Sequence, residues 1–210
     1  GLNDSAIRQT GNGSIATVLQ GADGQAVGGN RSDIDQDDDD NATVQQNYLI
    51  PSNGVGNYGG NQSDVIQTNG ANISDVNQDG LTGISSVDQT GGSSATVDQN
   101  GNDQDSRIDQ NGDHTSSVIQ SGDNNESDID QLGAGNAANV NQSGADNQSR
   151  IGQDGSGLTA NVTQSGNNGV VEIGQDTDSS DNTATVTQGG VNNDSFVYQY
   201  NGASDNSVNV

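Results

Sequence analysis

Few side chains in this chain are able to carry chemistry. His114 is the one histidine, and there is no cysteine to serve as nucleophile or thiolate ligand. No nucleophile pattern surrounds His114, so the chain reads as a non-enzyme with no cofactor. The acids are more inviting, because Asp37, Asp38, Asp39 and Asp40 form an unbroken run that could attract calcium. A calcium-binding β-roll, however, builds its sites from a nine-residue G-G-x-G-x-D unit that is absent here. A solvated, self-repelling surface is the plainer account of the acids, with a calcium-dependent β-roll kept as the alternative. The glycines do not cradle phosphate, since no G-x-x-x-x-G-K-[ST] occurs; they recur as turn residues. Thr43, Thr96, Thr163 and Thr185 are scattered among Asp and Asn, which argues against a flat ice-binding face.

Composition narrows the classes further. Hydrophobic residues make up 26% of the 210, aromatics 2%, and the formal net charge is −25. Such a chain reads as disordered unless it is periodic, because repeats can bury small side chains in rows without a bulky core. Only four arginines are present, so no basic patch exists for nucleic acid or anionic lipid. No apolar run approaches the length of a membrane span, so the chain is not expected to insert in a bilayer. It begins at Gly1 without a basic-then-apolar leader, and is taken as a mature form whose export signal has been removed.

Alignment on glutamine reveals the elements. Val or Ile stands two residues before Gln9, Gln20, Gln36, Gln46, Gln67, Gln78, Gln89, Gln99, Gln110, Gln120, Gln131, Gln142, Gln153, Gln164, Gln175, Gln188 and Gln199. From Gln67 to Gln175 every step is 10 or 11 residues. Ser or Ala usually lies four before Gln, and Asn often lies six before it, as at Asn72, Asn136 and Asn147. Gly commonly follows two after it. The unit is N-x-[SA]-x-[VI]-x-Q-x-G-x-x. Its marked positions are two apart, so in a strand they all point to one face, while the intervening Asp, Arg and Thr face solvent. No 3.6-residue apolar period is present to support a helix.

A longer period overlies the first. From Gln99 onward Ala-Val units such as Ala95-Val97, Ala138-Val140 and Ala160-Val162 alternate with Ser-Ile units such as Ser106-Ile108 and Ser149-Ile151. This predicts that each strand stacks on the strand two units away, parallel and in register. The expected fold is an all-β solenoid of stacked β-arches, with two facing parallel sheets and about nine two-strand rungs. Its dry interface would be the glutamine ladder with Val76, Val97, Ile108, Ile129, Val140, Ile151, Val162, Asn72, Asn136 and Asn147. One repeat domain over 1–210 is expected, with loop insertions at 21–29 and 47–60. Val55 to Gly59 looks like a degraded unit, but Pro51 favours a loop. His114 occupies an Asn place and reads as a structural substitution. Tyr48, Tyr58, Tyr198 and Tyr200 fall in the second loop and the last full unit, and read as packing residues, with surface contacts between fibres as the alternative.

Gln131, Gly133, Asn136, Ala138 and Gln142 form a Q-x-G-x-x-N-x-A-x-x-x-Q run, and Gln175, Asn182, Ala184 and Gln188 form a stretched version. In this the sequence resembles the curlin repeat of curli, the functional amyloid of bacterial biofilms. Nearly the whole chain shares the likeness, although Ser often replaces Ala and the charge is unusually acidic. The resemblance implies a major-subunit-like protein, exported unfolded through an outer-membrane pore and assisted by a nucleator subunit. Such a protein polymerises at the cell surface into fibres of the biofilm matrix that serve adhesion. The first and last units read like interior ones, so identical copies are expected to stack head to tail. A monomeric β-solenoid adhesin would share the repeat but carry caps. Stacked carboxylates predict assembly that speeds at low pH or with divalent cations.

Overall fold

Alternation of small or β-branched residues with polar ones sets up strands in which every second side chain is buried. The computed structural model describes residues 3–22, 29–48, 60–200, 202 and 204–210. The strands are β1 (Asp4–Gln9), β2 (Ile15–Ala22), β3 (Arg31–Gln36), β4 (Asn41–Tyr48), β5 (Gln62–Thr68) and β6 (Ile73–Leu81). They continue as β7 (Ile84–Thr90), β8 (Ser94–Asn102), β9 (Asp105–Asn111), β10 (Thr115–Asp123), β11 (Glu126–Ala134) and β12 (Ala137–Ala145). The last are β13 (Gln148–Ser156), β14 (Thr159–Gln164), β15 (Val170–Ser180), β16 (Thr183–Gln188), β17 (Asp194–Gln199) and β18 (Ser207–Asn209).

Odd-numbered strands form one nine-stranded sheet and even-numbered strands the other, each in sequence order. Every pairing is parallel and sets unit on unit, for example Ser106, Ile108 and Gln110 beside Ser127, Ile129 and Gln131. The expected two-sheet β-solenoid is therefore the fold. The inner rows of both sheets merge into one apolar cluster from Ile34 to Val197, extended by the half-buried Ala16, Val18 and Val208. Strands β2 and β4 run on to Ala22 and Tyr48, because Gly21 pairs with Asn47 and Ala22 with Tyr48. Residues 23–28 and 49–59, which hold most of the two expected loops together with Pro51 and Val55 to Gly59, lie outside the described residues.

Two backbone features close the arcs between sheets. The glycine two after Gln stacks on its counterpart one rung away. A Cβ on Gly122 would collide with the carbonyl of Gly144, so a side chain is excluded at these glycine rungs. Seven residues before many of the glutamines, the chain turns through the left-handed region, as at Asp103, Asn124, Asp146, Asn168, Asp181 and Asn192. Asn and Asp tolerate that conformation better than other non-glycine residues. The long step from Gln175 to Gln188 is absorbed by a bulge in β15, whose pairing with β13 jumps from Gln153–Gln175 to Gly155–Ser179.

Thr82 takes the left-handed position with φ 56, where a β-branched residue is strained. Replacing Thr82 by Asn is expected to raise stability by about 0.5–1 kcal/mol, read as an upward shift in the denaturant midpoint; an unchanged or lower midpoint would contradict the strain.

Candidate functional site

A carboxamide has two N–H donors and an acceptor oxygen, and the glutamines two after Val or Ile use both kinds of group in fixed directions. Along the odd sheet, Nε2 donates to Oε1 of the next rung from Gln9 to Gln36 (3.0 Å), Gln67 (2.7 Å), Gln89 (2.8 Å) and Gln110 (2.9 Å). The series goes on to Gln131, Gln153 (2.8 Å each), Gln175 (2.8 Å) and Gln199 (2.7 Å). The even sheet repeats this from Gln20 through Gln46, Gln78, Gln99, Gln120, Gln142 and Gln164 to Gln188. The amide's remaining donor crosses to the other sheet. Gln99 donates to the carbonyl of Ile84, Gln120 to that of Asp105 and Gln142 to that of Glu126, at 2.8, 2.9 and 2.8 Å. From Gln20 to Gln175 each glutamine of the ladders thus joins rung to rung and sheet to sheet.

The asparagines close the arcs. Asn136 accepts the Leu158 N–H through Oδ1 (2.9 Å) and donates to the Leu132 carbonyl (2.7 Å). Asn147 accepts from Gly169 (3.0 Å) and donates to the Gly166 carbonyl (2.8 Å), while Asn72 accepts from Gly92 and Ser93. His114 does the same work in the same column. Its Nδ1 accepts the Asn136 N–H (3.2 Å), and its Nε2 lies 3.1 Å from the Asn111 carbonyl, which it meets as the donor. The ring is therefore the neutral Nε2–H tautomer, and burial pulls its pKa below 6.5.

Nearly all the residues singled out from sequence are brought into these columns. Val76, Val97, Ile108, Ile129, Val140, Ile151 and Val162 are buried, as are Asn72, Asn136, Asn147 and the glutamines from Gln36 to Gln199. Gln9 is exposed and Gln20 half-buried, since they belong to the first rung. Asp40 was not singled out as a member, yet it fills the Asn place before Gln46. It is buried, and its carboxylate accepts from the backbone and side-chain amides of Asn72, both at 3.0 Å, and from the Asp37 N–H. Two more of the run also turn to backbone. Asp38 accepts from the Asn12 N–H (2.6 Å) and Asp37 from that of Asn69 (3.0 Å). Counting six back from Gln46 is the signal that finds Asp40.

A protein-family model, the Curlin associated repeat, matches residues 115–144 and 133–166, which is β10 through β14. Residues 115–166 carry curlin repeats. No curated protein is similar enough to the chain to count as a match. The unit that defines the curlin match also holds outside it, because β3, β5, β7 and β9 stack in the same Ser–Val/Ile–Gln register.

The outer faces of the rungs differ. All four arginines and the acids Asp64, Asp88, Asp105 and Asp130 lie on the odd sheet. Burial raises the pKa of each of these acids, helped by Asp33 beside Asp64, Asp109 beside Asp88 and Asp130, and Asp128 beside Asp105. On the even sheet Thr17 pairs with Thr43, but Asp75 separates Thr43 from Thr96. Tyr198 and Tyr200 stand exposed on and just after β17 rather than in the core.

Replacing Gln131 by Ala removes its bonds to Gln153 and Thr115 and leaves the Gln110 amide without its acceptor. A loss of roughly 2–5 kcal/mol is expected, against well under 1 kcal/mol for the outward Asn139→Ala, both read from denaturant midpoints. The pH dependence follows from the shifts above. The raised carboxylates contribute stability that is full below their unfolded value of 3.8 and is lost as pH rises through their folded values. His114 opposes them, since its contribution is present above 6.5 and is lost as pH falls through its lowered folded value. In His114→Asn, stability should therefore rise as pH falls through the raised folded values toward 3.8; a fall on that approach would refute the carboxylate assignment.

Proposed function

We propose that the chain is a structural subunit of a secreted, curli-type extracellular fibre, growing by head-to-tail stacking of identical copies. The observation that carries this reading is the direction of the ladders. At one end, the Oε1 atoms of Gln9 and Gln20 have no glutamine donor among the described residues. At the other, the Nε2 atoms of Gln188 and Gln199 have no glutamine acceptor, reaching only backbone and the Ser195 hydroxyl. In the odd sheet the donor of Gln199 faces the acceptor of Gln9 across a junction, so two copies complement each other there; in the even sheet β18, which has no glutamine, lies between Gln188 and the next copy, and that ladder skips a rung.

The backbone supports the same conclusion. Strands β1 and β17 are the two edges of the odd sheet, and β2 and β18 the two edges of the even one. An unpaired edge whose side chains repeat the interior pattern is a template for another copy. An even number of strands also keeps the sheets in phase across a junction, odd on odd and even on even. In this reading the fibre belongs to the matrix outside the cell and serves biofilm adhesion. A nucleating subunit and an outer-membrane export pore are the partners that the family's biology supplies.

Purified chain should form unbranched filaments in negative-stain micrographs, with thioflavin fluorescence and a fibre reflection near 4.8 Å, and EDTA should leave them intact. Lone soluble particles would favour a monomeric adhesin instead, and filaments that vanish with EDTA would favour a calcium-dependent roll.

A further inference from the structure

Resting on that fibre reading, we infer that the junction between copies has one register, fixed on the outer face of the odd sheet by Arg8 of one molecule against Tyr198 of the next. Strands β1 and β17 have the same six-residue length, Asp4–Gln9 and Asp194–Gln199. Continuing the odd sheet unit on unit sets Ser5 on Ser195, Ile7 on Val197 and Gln9 on Gln199, the pairing that interior rungs already show. In the even sheet the same step sets Ala16 on Val208 and Val18 on Val210, extending the column from Val186. A slip of two residues would put the Gln199 amide against Ile7 and leave it without a partner inside the interface.

The outer columns choose the same register. In the column just before Gln, the neighbours run Gly174, Tyr198 on one side of the junction and Arg8, Asp35 on the other. Tyr198 lies over Gly174, where a Cβ would come within 2.8 Å of the ring, so the absence of a side chain there seats the aromatic. Its ring remains 52% exposed. Arg8 is held on its far side by Asp35 at 2.8 Å and is otherwise open, with 72% of its side chain exposed. Among the four arginines, Arg8 alone stands on an edge strand. Neighbouring parallel strands are about 4.8 Å apart, within the reach of a guanidinium–ring contact. The next column places Phe196, 59% exposed, against Ala6, which leaves room for the ring. The junction's like-charge contact, Asp4 beside Asp194, has Arg31 as its next neighbour in the column.

Because the chain has no cysteine, the register can be read by cross-linking. Ala6→Cys and Phe196→Cys chains, mixed, assembled and oxidised, should give a heterodimer band on a non-reducing gel, since adjacent parallel Cα atoms lie within disulfide range. Each variant assembled alone should give no such band. A band instead from Ala6→Cys with Tyr198→Cys, or no band from either mixture in well-formed fibres, would overturn the register while leaving the fibre intact. Failure of the unmodified chain to form fibres would overturn the earlier reading instead. For the contact itself, Arg8→Ala and Tyr198→Ala should each raise the critical concentration roughly two- to fivefold, and the double variant no more than the larger single effect. Independent, multiplying effects would show that the two side chains do not meet.

Discussion

The structure depends on a glutamine amide that is satisfied in two perpendicular directions. One donor runs along the solenoid to the next amide and the other crosses to the facing sheet, while the oxygen receives from the rung before. Burying a polar group costs free energy unless it is paired, and stacking identical amides in register makes the pairing automatic. This is how a chain with 26% hydrophobic residues holds a dry interior. The apolar row of Val and Ile adds packing, but the amides fix the distance and alignment of the sheets.

The substitutions within the columns show what is demanded of each place. The asparagine position requires an acceptor for the next rung's N–H and a donor for the arc's own carbonyl. His114 meets both with two ring nitrogens. Asp40 offers acceptors alone, and it sits where three N–H groups converge from Asn72 and Asp37. The serine column is different. The hydroxyls of Ser32, Ser63, Ser85, Ser106, Ser127 and Ser149 make no hydrogen bond, nor do those of Ser74 and Ser116 in the facing sheet, where alanine takes the same position at Ala42, Ala95, Ala138, Ala160 and Ala184. Close approach of the sheets accounts for a small residue there, but not for the hydroxyl.

In-register parallel stacking is unusually legible in sequence, because every column repeats itself at the interval between rungs. Gln-on-Gln pairing, the two-sheet alternation and the place of His114 could all be read that way. Less legible was whatever is set by backbone conformation rather than by side-chain identity. The left-handed turn before the Asn position is filled by Asp, Asn, Gly and once by Thr, so its column does not look like a repeat. The acids at 37–40 read as a surface charge run because four like residues conceal four different backbone environments. Tyr198 and Tyr200 flank Gln199 at outward positions of the alternation, but packing was the plainer reading of them because nothing local shows that β17 is an edge strand.

Stacking like residues has a cost on the outside of the same columns. Asp88, Asp109 and Asp130 are consecutive neighbours in one outer column, about 4.8 Å apart, where their charges repel. Arg107 stands in the adjacent column and donates to both Asp109 and Asp128 at 3.0 Å, where the acids are densest. Arg31 reaches Asp33 and Arg8 reaches Asp35, while Arg150 lies between Asp128 and Glu172. Exposed pairs of this kind contribute little each, so their value lies in breaking up runs of carboxylates that a perfect repeat would make continuous. The inner columns gain from identity between rungs and the outer ones from departures from it. A repeat that is strict at Gln and loose at Asp satisfies both, and the four basic residues are spent where the looseness would otherwise fail.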